Sequence, residues 1–101
     1  MKKLTSVSFL FLISALFAGT SHSTGRMTCD SGDKSNWKSE EALIEKITAE
    51  GWQVRKVKED GGCYEVYGRD PEDRRVEAYF DPLTLENLLI ARRGKILYKK
   101  N

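Results

Sequence analysis

The stretch Gly51 to Pro82, GWQVRKVKEDGGCYEVYGRDPEDRRVEAYFDP, decides the fold: short apolar alternations are separated by Asp-Gly and Asp-Pro punctuation, the pattern of an antiparallel meander. The spacing predicts strands over 52–58, 63–69 and 74–80. Tyr64 and Val66 share one face of the second strand, and Val76, Ala78 and Phe80 share one face of the third. Both sets fall on even positions. A connection with an odd number of residues, three or five around Pro71, is needed to turn both toward one core. In the first strand Trp52 and Val54 have one parity and Val57 the other, so a bulge near Arg55 and Lys56 is required to bring all three inward.

Upstream, Ser39 to Glu50 reads as a helix. Ser39 caps it, Glu40 and Glu41 suit the positive end of its dipole, and Gly51 suits the left-handed residue that ends it. Leu43, Ile44 and Ile47 form its apolar stripe, with Trp37 placed as a staple against Leu43. Downstream, segment 84–93, TLENLLIARR, fits helical spacing at Leu85, Leu88 and Leu89, but the Asp81-Pro82 reversal favours a fourth strand over 86–93. Residues 96–98 extend that strand or add a fifth. The expected architecture is α+β: one N-terminal helix packed on an antiparallel four-stranded β-meander.

The first residues stand apart. Lys2 and Lys3 precede an apolar run from Val7 to Ala18 that is shorter than the roughly 20 residues of a membrane span and ends in small polar residues. This is the pattern of a signal peptide over 1–23, cleaved after Ala18 or Ser23, which predicts a periplasmic or secreted protein without stable membrane insertion. Residues 24–36 form a polar lead, and 37–101 the folded domain. Without Lys2 and Lys3 the 17 basic residues fall to 15, matching 15 acidic ones. A balanced surface argues against a nucleic-acid partner. The basic end, with Arg92, Arg93, Lys95, Lys99 and Lys100, reads as a strand edge protected against pairing.

A domain of about 80 residues buries only about 60–65% of its extended surface, so a covalent staple is valuable. Cys29 and Cys63, two cysteines behind an export signal, are expected to form one disulfide. Closing a loop of about 35 residues stabilises by roughly 3–4 kcal/mol in the chain-entropy description. Their spacing is not that of a redox pair, and no histidine stands nearby as a co-ligand.

The stretches Gly51-Trp52-Gln53-Val54, Asp60-Gly61-Gly62-Cys63-Tyr64-Glu65-Val66-Tyr67 and Val76 to Thr84 resemble the PepSY family of small exported bacterial proteins, related to propeptide modules of secreted metallopeptidases. The resemblance spans about 37–89. The family continues Asp-Pro-x-Thr-Gly-Glu, whereas this chain has Leu85 at the glycine position. The resemblance implies one helix against an antiparallel sheet and restraint of a peptidase by protein–protein contact, with no catalytic residues to transfer.

The residues themselves also offer little chemistry. The only histidine, His22, lies in or beside the leader, so a Ser-His or Cys-His nucleophile is not expected. Glu59, Asp60, Asp70, Glu72 and Asp73 fall at turns, where carboxylates accept local backbone bonds. Asp30 and Asp33 miss the spacing of a calcium loop. No enzyme activity, cofactor or metal is expected. The expected binding surface is the odd-position face of the sheet, carrying Tyr67, Tyr79, Arg69 and Arg75, since tyrosine and arginine anchor protein interfaces. An ordinary cross-strand contact on a wet face accounts for the two tyrosines equally. The expected partner is a peptidase or another envelope protein, the protein itself a monomer or weak dimer. The alternative is a periplasmic ligand-binding or sensing accessory with a pocket between helix and sheet.

Overall fold

The computed structural model describes residues 25–101; the expected signal peptide with its two expected cleavage sites, and His22, lie outside the described residues. Helix α1 spans Glu40–Ala49. It precedes strands β1 (Gln53–Asp60), β2 (Cys63–Arg69), β3 (Arg75–Phe80), β4 (Asn87–Arg92) and β5 (Lys95–Lys99). The strands form one antiparallel sheet in the order β1-β2-β3-β4-β5. The expected four-stranded sheet is thus corrected to five, and the helix follows an extended lead rather than opening the fold. The fifth strand arises because Arg93 and Gly94, at φ +52° and +82°, reverse the chain in two residues, the geometry of a tight hairpin.

Helix α1 begins where Ser39 Oγ accepts from the Ala42 amide at 3.0 Å. It ends through Gly51 at φ +104°. Its buried residues are Leu43 and Ile47. They pack on the even face of the sheet with Trp52, Tyr64, Val66, Val76, Ala78, Phe80 and Ile90, and this cluster fills the layer between helix and sheet. Trp37 meets Tyr64 edge to face at 5.7 Å and also packs against this core. Burial of side chains of this size contributes about 1.5–3 kcal/mol each, which makes this layer the main source of stability.

The register follows the pattern of the apolar residues. Five residues, 70–74, connect β2 to β3, and Arg69 pairs with Arg75. The shift between Val54 and Lys56 marks the bulge at Arg55, leaving Val54 and Val57 against the same core. In the β2–β3 turn Asp70, 2% exposed, accepts from the Glu72 and Arg74 amides and from Arg74 Nε at 2.8 Å. Burial pushes the Asp70 carboxyl up, but the Arg74 and Glu72 bonds outweigh it and hold the group below its ordinary range.

Segment 84–93 contains strand β4 over Asn87–Arg92 and no helix, with Thr84 and Arg93 in turns. Leu85 nevertheless keeps the backbone of a glycine, at φ +64°, while its side chain is 4% exposed in the core. The turn before it is closed by Leu85 N to Asp81 O at 2.6 Å and by Leu83 N to Asp81 Oδ1 at 2.7 Å.

Candidate binding surface

The odd-position face of the sheet lies opposite the helix, and the structure divides it in two. One part is covered by the lead. Cys29 and Cys63 are joined in a disulfide, with Cα atoms 5.1 Å apart. The Cys29 amide donates to Gly61 O at 2.8 Å. Met27 and Cys29 pack on a second apolar cluster of Cys63, Tyr79, Leu89 and Ala91. The lead is therefore held by packing and a backbone hydrogen bond as well as by the disulfide. Asp33, whose spacing misses that of a calcium loop, accepts from the Ser35 amide to cap a short 3-10 turn at Lys34–Asn36.

Two tight glycines make this covering possible. Gly61 and Gly62, at φ +62° and +82°, form the β1–β2 turn, where a Cβ would stand 2.5 Å from the carbonyl oxygens of Met27 and Cys29 respectively. Any side chain there would push the lead away.

The expected surface residues separate accordingly. Tyr79 is 1% exposed under the lead; its hydroxyl donates to Asp60 Oδ2 at 2.8 Å and accepts from the Arg26 amide at 3.3 Å. Burial raises its pKa strongly. This tyrosine belongs to the interior. Tyr67 is half-buried, with the ammonium groups of Lys56 and Lys58 5.6 and 5.5 Å from its ring centroid. Those distances are within cation–π range. Arg69 and Arg75 remain on the uncovered part of the face as cross-strand partners.

Beside the lead, a groove of about 840 Å3 has Arg26, Lys58, Asp60, Glu65, Tyr67 and Tyr79 among its lining residues. Glu65 is the unexpected member. It is 2% exposed, and its Oε1 has no hydrogen-bond partner among the described residues. Lys58 Nζ stands 3.8 Å away. Burial pushes the Glu65 carboxyl up, and the nearby Tyr67 and Tyr79 hydroxyls and Lys58 only partly oppose it. Glu65 reads in the sequence as a solvated residue between two core positions. The signal for its burial is Cys63: it shares parity with Glu65, so a disulfide to Cys29 draws the lead across the face that Glu65 occupies.

The groove thus holds a buried carboxylate oxygen without a hydrogen-bond partner among the described residues, bordered by tyrosine, arginine and Lys58. Among the described residues no helix is long and apolar enough to cross a membrane, and no group of three or more His, Cys, Asp or Glu is placed to hold a metal ion.

The family described as peptidase propeptide and YPEB domain matches residues 7–89. The chain belongs to this family, PepSY, whose expected helix-on-sheet arrangement is the one seen here. Comparisons with curated proteins and with solved structures found no match.

Proposed function

We propose that this protein is an exported, non-catalytic module that inhibits or regulates a secreted or periplasmic peptidase by protein–protein contact. Family membership carries the reading: the chain is matched over most of its length to a module described as a peptidase propeptide domain. The geometry supports it. The core layer behind the helix is filled, whereas the opposite face presents a groove and an uncovered arginine- and tyrosine-bearing surface. A rigid sheet, stapled at one end, holds such a surface without paying an ordering cost on binding. The alternative, a ligand pocket between helix and sheet, meets packed side chains at that level.

The test uses the oxidised, leader-free protein titrated into the peptidase activity of the native envelope and culture medium. A dose-dependent fall in one proteolytic activity, with that peptidase recovered in a cross-link to the protein, is the expected result. Unchanged proteolysis across the titration, with no cross-linked peptidase, rejects the reading.

A further inference from the structure

The chain contains seven arginines and ten lysines. Five of the arginines, Arg55, Arg69, Arg75, Arg92 and Arg93, line one depression of about 400 Å3 on the uncovered part of the odd face, and none of the lysines does. They come from separate places: the bulge of β1, the end of β2, the start of β3, the end of β4 and the β4–β5 turn. Strand parity brings Arg69 and Arg75 to one face, but the sequence does not show that Arg55, Arg92 and Arg93 join them, because the five are scattered over 39 positions.

Their surroundings leave them short of counter-charge. Asp73 and Glu77 are the acidic residues of the depression. Arg69 donates to the Asp73 backbone carbonyl at 3.1 Å but stands 3.8 Å from its carboxylate, whose side chain is 76% exposed. Arg55, Arg75, Arg92 and Arg93 make no ion pair among the described residues, although Arg74, next in sequence to Arg75, is paired with Asp70 and Glu72. Arg69 and Arg75 are also direct cross-strand partners. Like charges placed opposite each other in a sheet are destabilising, so the arrangement works against the fold on its own. An anion lying across the pair removes that cost.

Selection of arginine over lysine specifies the anion further. A guanidinium offers a planar fork that binds a carboxylate through two parallel hydrogen bonds, which an ammonium does not. We propose that this depression is the docking site for a carboxylate-rich segment, a run of Asp or Glu side chains, on the partner protein. The proposal rests on the protein–protein reading above and deepens it: arginine forks at one end of the face set the register of the partner, with Tyr67 at the border between this depression and the groove. Its charge complementarity is local, since the chain beyond the leader is neutral as a whole.

The experiment follows a fluorescent oligoglutamate peptide by anisotropy at low ionic strength with the oxidised protein, with Arg69→Ala/Arg75→Ala, and with Arg69→Lys/Arg75→Lys. Saturable, salt-sensitive binding is expected, weakened by about tenfold or more in the alanine variant and by about threefold or more in the lysine variant, which keeps the charge but loses the fork. No saturable binding, equal binding by all three proteins, or binding of polyphosphate and anionic vesicles with oligoglutamate ignored overturns the proposal. Thermal melting of each variant establishes that the sheet is intact. The two readings fail separately. Peptidase inhibition that survives unchanged in Arg69→Ala/Arg75→Ala overturns this docking site and leaves the regulatory function standing, whereas oligoglutamate binding with no peptidase ever inhibited upholds the site and rejects the function.

Discussion

The Tyr79 hydroxyl donates to Asp60 Oδ2 at 2.8 Å while accepting from the Arg26 amide, so one side chain of β3 ties the end of β1 to the lead. Loss of that hydroxyl leaves the half-buried Asp60 carboxylate and the Arg26 amide without their partner. Tyr79→Phe is expected to cost about 1–2 kcal/mol. For a domain of this size that lowers Tm by roughly 5–15 °C. Tyr67→Phe, on a half-buried residue bounded by lysine ammoniums, is expected to leave the melting point within about 2 °C, the range of an ordinary surface change. Equal shifts for the two variants in a thermal melt would show that Tyr79 does not fasten the lead.

Leu85 presents two demands that conflict. Its side chain is buried in the core and its backbone sits at φ +64°, a region costly for any residue with a Cβ. Leu85→Ala is expected to lose about 2–4 kcal/mol from the cavity while keeping the backbone strain. Leu85→Gly loses the same packing but relieves the strain, so it should be more stable than Leu85→Ala by about 0.5–1 kcal/mol. That order reverses the usual disadvantage of glycine in regular structure. Denaturant unfolding of the two variants decides it, and an alanine variant more stable than the glycine variant refutes the argument.

Much of this fold was readable because parity is a strong constraint in a half-buried sheet. Tyr64, Val66, Val76, Ala78 and Phe80 demanded the odd connection that residues 70–74 supply, and Trp52, Val54 and Val57 demanded the bulge at Arg55. The fifth strand was obscured by its sequence: Lys95–Lys99 is only five residues long, begins and ends in lysine and lies mostly exposed at an edge, and Arg93-Gly94 is a weaker turn signal than Asn-Gly. The binding surface was legible only in part. Strand parity placed Tyr67, Arg69, Arg75 and Tyr79 on one face, but it carries no information about a non-repetitive lead crossing that face. Hence the burial of Tyr79 and Glu65 could be reached only by joining the parity of Cys63 to its disulfide with Cys29, and the meeting of all five arginines from distant positions was out of reach.

Glu65 makes stability depend on pH in a defined direction. Its folded-state pKa is raised above the ordinary value of 4.5, mainly by burial. The folded protein therefore holds this proton more tightly than the unfolded chain; the contribution is complete below about pH 4.5 and is lost as pH rises through the folded-state value. Glu65→Gln keeps the shape and removes the titration. The variant should match the parent near pH 4 and exceed it in Tm at pH 7.5, where the parent must either ionise a buried carboxylate or retain its proton at a cost. Melting curves across that range check this. A Tm difference between variant and parent that does not change with pH excludes Glu65 as the titrating group.

Gly62 and Gly32 share a left-handed backbone, at φ +82° and +70°, but differ in what surrounds them. A Cβ at Gly32 meets nothing within 4 Å, whereas one at Gly62 would stand 2.5 Å from the Cys29 carbonyl oxygen. That carbonyl is backbone, held by the disulfide and by the Cys29 to Gly61 hydrogen bond, so it has little freedom to retreat. Gly32→Ala is expected to cost about 1 kcal/mol for its backbone conformation alone. Gly62→Ala adds the steric conflict, a further 1–3 kcal/mol or about that. Reduction of the disulfide provides the internal control: once the lead is released the excess at Gly62 should shrink, while the Gly32 value stays the same. Urea midpoints of both variants, oxidised and reduced, measure all four quantities, and an excess at Gly62 that persists after reduction would mean that the turn itself, not the lead pressed against it, requires glycine.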